Sequence, residues 1–165
     1  ATEAANAAAR HRPFAFVQAL MPEGIAGRHI AIWGVGFKAG TDDIRDSPGI
    51  TLLDQLLAAD ATVHIHDEYA ARSTAEQYAE AITAGRVRLN AAWSPLDAAD
   101  QTACVVIMTD DLGYRAPNLG KLGRRMQRRR IADMRASAEG REGIASFLEK
   151  RKPSWTDTSG QGDPT

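Results

Sequence analysis

Residues 29–67 constrain the fold more tightly than any other part of the chain, because they run in the order strand, glycine-rich turn, helix, strand. The stretch His29-Ile30-Ala31-Ile32-Trp33 is almost unbrokenly apolar and of strand length, the pattern of a strand covered on both faces. Glycines at 34, 36 and 40 follow, and Ser47-Pro48 then combines a capping hydroxyl with proline at the first helical position. The helix it opens carries an apolar stripe of Ile50, Leu53, Leu56 and Leu57. Thr62-Val63-His64-Ile65-His66-Asp67 reads as the second strand. Such an order is a βαβ unit with parallel strands and a right-handed crossover, which is half of a doubly wound sheet.

The remainder continues the alternation. Residues 70–84 read as helical, Arg86-Val87-Arg88-Leu89 as a short strand, and Ser94-Pro95-Leu96-Asp97 as a capping box that opens a brief helix. Residues 104–108 form a buried strand, 119–128 a helix, and Ile131-Ala132-Asp133-Met134 a last strand. The predicted fold class is α/β, a doubly wound, mostly parallel sheet of about five strands preceded by an N-terminal helix. That helix carries Phe14, Val17, Leu20 and Met21 on one stripe, and Pro13 is expected to break it or start a turn. Residues 153–165 are rich in Ser, Thr, Asp, Gly and Pro and read as a disordered tail.

Lys and Arg total 20 against 21 Asp and Glu, a net charge of −1, so no global field recruits nucleic acid or an anionic membrane. No apolar stretch reaches the roughly 18 residues that span a bilayer, and a cytoplasmic location is expected. A start at Ala1 rather than methionine suggests a piece of a longer protein. The one cysteine, Cys104, lies in Ala103-Cys104-Val105-Val106-Ile107-Met108, the setting of a buried small hydrophobe and not of a reactive thiolate. His64 and His66 share a strand face beside Asp67, a pattern open to a metal, but rim residues of a strand are the favoured reading and no metal is assigned. Arg124, Arg125, Arg128, Arg129 and Arg130 read as a solvated helix end.

The chemistry converges on GVGFKAGTDDIRDSP, residues 34–48. Glycines at the carboxyl end of a parallel strand let a ligand approach the backbone, and the helix start beyond offers N–H groups to a phosphate. The spacing is not the dinucleotide fingerprint, which sets its third glycine one residue earlier, and Asp67 stands 27 residues past Gly40 where that fingerprint has its acid at about 20. Lys38 offers a point charge and Arg45 a planar fork to an anion. The alternative is that both are surface cations paired with Asp42, Asp43 or Asp46.

The same stretch strongly resembles the signature of the C-terminal, UDP-binding domain of the UDP-glucose/GDP-mannose 6-dehydrogenase family, with Phe37, Lys38, Thr41, Asp42, Asp43, Arg45, Asp46, Ser47 and Pro48 all matching. The resemblance extends over residues 25–136, through a second strand ending in Asp67, a strand ending in Thr109, and Asp133-Met134-Arg135. It departs from the pattern at Glu68, at Asp110-Asp111 and at Ala136, which leaves the sugar unspecified.

The resemblance implies three regions: 1–24 as the end of a central connecting helix, 25–136 as a Rossmann-like UDP-sugar-binding domain, and 137–165 as a mostly disordered extension. It implies that Phe37, Lys38 and Arg135 contact a UDP-sugar substrate and that Arg45 reaches toward NAD, which the family holds mainly in its other half, the one this chain does not resemble. The implied reaction oxidises the sugar C6 alcohol to a carboxylate through a cysteine of that other half. On this reading the chain has no catalytic residue, binds without turning over, and belongs to a homodimer formed through the central helix. The rival readings are a stand-alone or degenerate non-catalytic nucleotide-binding module, and a CoA- or dinucleotide-binding regulatory domain, which needs a more orderly glycine fingerprint.

Overall fold

The computed structural model describes residues 2–114, 119–126 and 131–133. Five parallel strands make one sheet in the order β3-β2-β1-β4-β5: β1 His29–Trp33, β2 Thr62–His66, β3 Val87–Leu89, β4 Cys104–Ile107 and β5 Ile131–Asp133. The helices are α1 Thr2–Leu20, α2 Pro48–Ala58, α3 Ala71–Gln77, α4 Ala79–Thr83, α5 Pro95–Ala98 and α6 Leu119–Arg125, with a 3-10 turn at Leu112–Tyr114. This is the predicted doubly wound α/β fold. The expected disordered tail and Arg135 lie outside the described residues.

Alternation along β1 sorts its side chains between two cores. Ile30 and Ile32 join Val63, Ile65, Cys104 and Val106 beneath Leu52, Leu53 and Leu56 of α2 and Val17 of α1. Ala31 and Trp33 turn the other way, to Val105, Ile107, Ala99, Tyr114 and Leu122. The central strand is therefore covered on both faces, as its composition demands. Cys104 is wholly buried in the first core, as the apolar run around it predicts.

Two helical expectations need correction. Pro13 does not break α1, which runs through it to Leu20. The proline removes one helical hydrogen bond at about 3 kcal/mol. Burial of Val17 and Met21, with Phe14 and Leu20 half-buried against the core, returns about 1.5–3 kcal/mol for each fully buried side chain and outweighs it. The single helix expected over 70–84 is instead two, stepping at Tyr78, whose hydroxyl donates to Asp54 Oδ1 on α2 at 2.6 Å.

His64 and His66 do share a face, and neighbouring side chains occupy it. The Ala98 carbonyl can only accept, so His64 Nδ1–H donates to it at 3.1 Å. His64 Nε2 is then the acceptor for His29 Nδ1–H at 2.9 Å. Both nitrogens are consumed by a neutral ring, and among the described residues no group of three His, Cys, Asp or Glu is placed to hold a metal.

Burial, followed by the charges of His29 and Arg88, pushes the His64 imidazole from 6.5 down to about 4. The unfolded chain takes up that proton more readily than the folded one. The contribution of His64 to stability is therefore full above pH 6.5, falls as the pH drops toward 4, and is gone below. Asp43 and Asp97, both held down to about 2, contribute at lower pH. The decline in melting temperature between pH 6.5 and 4 is expected to be smaller in His64→Gln than in the wild type. Parallel melting curves for the two proteins exclude His64 as the cause.

Candidate functional site

The chain runs outward from β1 through β2 to β3, then returns across the sheet to β4 on the opposite flank of β1. Strand order reverses between β1 and β4, and in open parallel sheets ligands bind outside the carboxyl ends of the strands at such a point. The segment that follows β1 there is the glycine-rich turn.

Three glycines hold this region together by close approach. Gly34 has φ +87°, and a Cβ on it would overlap the hydroxyl of Thr109 at the end of β4. A Cβ on Gly36 would come 2.9 Å from the Thr41 carbonyl oxygen. A Cβ on Gly49, the second residue of α2, would lie 2.8 Å from the Gly34 carbonyl oxygen. The glycine that seats the helix on the turn is thus Gly49. Gly40, which the spacing offered as the third glycine, has open space around its Cα. Residues 37–46 loop out between Gly36 and the Ser47 cap, and this displaces the helix start from its usual place in a glycine fingerprint.

All four N–H groups of residues 34–37 have partners within the protein. Gly34 N donates to the His66 carbonyl at 2.8 Å and Phe37 N to the Asp43 carbonyl at 2.7 Å. Val35 N and Gly36 N both donate to Asp67 Oδ2, at 2.8 and 3.0 Å. Ser47 caps α2 by accepting from Gly49 N at 3.1 Å, while its hydroxyl donates to the Val35 carbonyl at 2.6 Å. The N–H groups of the turn are therefore engaged within the protein, and the turn is closed by Asp67. The sequence offers Asp67 as a misplaced acid of the dinucleotide fingerprint, as a neighbour of the His64 and His66 pair and as the end of the second strand, and none of these readings ties it to the turn. Its position directly after β2, which pairs in parallel with β1, was the signal for its actual placement.

Side chains supply what the backbone withholds. Lys38 is exposed on the loop and makes no hydrogen bond or ion pair among the described residues. Beside it Phe37 is 53% exposed, and Tyr69 and Leu112, at 49% and 77%, follow the ends of β2 and β4. A cation with an apolar fringe, set at the ends of three strands, suits a ligand that carries both phosphate and a ring. Trp33, at the end of β1, stacks on Tyr114 at 5.6 Å, and the Tyr114 hydroxyl meets His66 Nδ1 at 2.7 Å.

Arg45 is paired within its own loop. Its fork closes on Asp43, Nε to Oδ1 at 2.9 Å and Nη2 to Oδ2 at 2.8 Å, and its side chain is 86% exposed. These bonds hold the Asp43 carboxyl down to about 2. For Arg45, pairing with a nearby acid was one of the two readings open from sequence. Lys38 has no such partner among the described residues, whether Asp42, Asp43 or Asp46.

Residues 31–139 match the model of the UDP-glucose/GDP-mannose dehydrogenase family, UDP binding domain. A curated UDP-glucose 6-dehydrogenase of Pseudomonas aeruginosa is 33% identical over 135 residues, which are 82% of this chain and 29% of that protein. Among solved structures, a UDP-glucose dehydrogenase from Pyrobaculum islandicum superposes with a TM-score of 0.58 at 25% identity, covering 74% of this chain and 29% of that one. A UDP-D-ManNAc dehydrogenase from Pyrococcus horikoshii has a TM-score of 0.59 at 20% identity, over 75% of this chain and 26% of that one, a likeness of fold. The chain spans less than a third of the length of each of these proteins.

Proposed function

Since the chain belongs to the UDP-glucose/GDP-mannose dehydrogenase family and matches its UDP-binding domain, we propose that it holds the nucleotide end of a UDP-sugar for an NAD-dependent oxidation completed by the rest of a longer enzyme. The observation that carries this reading is the Lys38 ammonium, exposed and unpaired among the described residues, next to the exposed Phe37 ring at the reversal of strand order. A dianionic diphosphate needs a cation there, because the turn's own N–H groups are engaged. Phe37 supplies an apolar face to the ligand, and Arg135 is proposed as a second substrate contact.

The glycine turn does not fit a dinucleotide, since the Asp67 carboxylate already stands where its pyrophosphate would draw N–H groups. NAD supplies hydride acceptance when bound, and we assign it to another part of the enzyme, with Arg45 as this chain's contribution. Cys104 is wholly buried and is not the nucleophile of such a reaction. In the same proposal residues 1–24 are the end of a connecting helix that joins two subunits, residues 25–136 the binding domain and 137–165 an extension, in a cytoplasmic enzyme. No described helix is long and apolar enough to cross a membrane.

Titration of the 165-residue chain with UDP, UMP and uridine tests the binding claim. Heat is expected with UDP, weaker binding with UMP by about tenfold or more, and none with uridine, since each charged contact contributes about 1.5–3 kcal/mol. Equal binding of all three ligands, or no binding of UDP by the folded chain, refutes it.

A further inference from the structure

We propose that Asp67 is the positioning residue for the Lys38 segment: its carboxylate is an internal anion, seated in the N–H groups of the glycine turn, that fixes how Lys38 is presented to a diphosphate. The inference rests on the reading of Lys38 given above and adds to it the group that sets the loop. Asp67 accepts four backbone hydrogen bonds, two per oxygen. Oδ2 takes Val35 N and Gly36 N, while Oδ1 takes Tyr69 N at 3.0 Å and Ala70 N at 2.8 Å. One side chain therefore ties the exit of β1 to the segment that leads into α3.

The position demands a side chain with two acceptor oxygens. Four donors converge on it, and only a group with two acceptor oxygens and no donor satisfies all of them. An asparagine would aim its NH2 at one pair of N–H groups and expel either the turn or the residues before α3. Because Gly36 is fixed by this bond and Phe37 N by the Asp43 carbonyl, Lys38 leaves the sheet from a backbone clamped on its N-terminal side. The carboxylate also sets specificity. With these N–H groups engaged, a ligand phosphate must take its charge from side chains, and a ligand that relies on a glycine-turn nest finds none.

The test compares the 165-residue wild type with Lys38→Ala, Asp67→Asn and Asp67→Ala by UDP calorimetry, thermal melting and site-resolved amide exchange. Both Asp67 variants are expected to melt cooperatively and to bind UDP at least about tenfold more weakly. Protection should be lost at Val35, Gly36, Tyr69 and Ala70 and kept at Ala31 and Val63 within the sheet. Formate, which replaces the missing carboxylate, should restore protection and part of the affinity in Asp67→Ala and leave the wild type unchanged. Loss of binding that formate does not reverse, with the four amides still protected, overturns the proposal. So does wild-type affinity in either variant. If Asp67→Ala does not fold, the nearly isosteric Asp67→Asn decides the matter by its affinity and amide pattern. A wild type that ignores UDP, or a Lys38→Ala that matches it, refutes the functional reading instead; the amide arm then still judges whether Asp67 holds the turn.

Discussion

Gly34→Ala is expected to lower the free energy of unfolding by about 2–5 kcal/mol, the sum of a left-handed backbone cost of ~1–2 and an overpacking cost of ~1–3. The first contribution follows from φ +87°, the second from the Thr109 hydroxyl that a methyl group would overlap. Against a total of about 5–15 kcal/mol for a domain, this is a large fraction. Gly85 separates the two contributions, because its φ is +73° and nothing lies within 4 Å of its would-be Cβ. Gly85→Ala should therefore cost only the backbone part, about 1–2 kcal/mol. Urea denaturation of both variants measures the difference. Equal midpoints would show that Thr109 yields to the methyl group and that the ends of β1 and β4 are not in tight contact.

Lys38→Ala should weaken UDP binding by about ten- to a hundredfold, the range for loss of one charged hydrogen bond to a phosphate, while leaving the melting temperature unchanged. The two effects separate because Lys38 makes no bond among the described residues whose loss would unfold anything. Arg45→Ala provides the contrast. Its guanidinium is already held by Asp43, so UDP affinity should stay near the wild-type value while Asp43 titrates closer to an ordinary carboxyl. Binding by the wild type should also weaken as salt is raised, and Lys38→Ala should flatten that dependence. An unchanged affinity in Lys38→Ala removes the lysine from the site and with it the central argument for a diphosphate ligand.

The parts of this molecule legible from sequence are those governed by short-range pattern. β1, α2 and β2 are marked by an apolar run, a serine-proline start and a second run, and each lies where those signals put it. Fold class followed from their order. What escaped depends on contacts between segments remote in sequence. Gly49 matters because the first turn of α2 presses on Gly34 and Val35, and counting glycines forward from residue 34 led to Gly40 instead. Asp67 matters because parallel pairing sets His66 beside Trp33, which brings the next side chain under the turn. Pro13 carried a local rule about helices that packing of its neighbours overrode. Lys38 was recognisable through its motif, whereas its lack of a partner among the described residues is visible only in three dimensions.

The pairing of β1 with two neighbours has a kinetic consequence. On one side Ile30 meets Val63, and on the other Cys104, more than twice as far along the chain. Each doubling of loop length adds only about 0.6 kcal/mol to the closure penalty, so entropy alone favours the nearer partner modestly. The apolar face of α2 is made within that same early loop and adds to the bias. The clamp between Asp67 and the turn should thus exist before β4 arrives, and the crevice itself should be completed only when Thr109 slides in against Gly34. A chain emerging from the ribosome would carry a finished lysine perch well before it had a cleft to put beneath it.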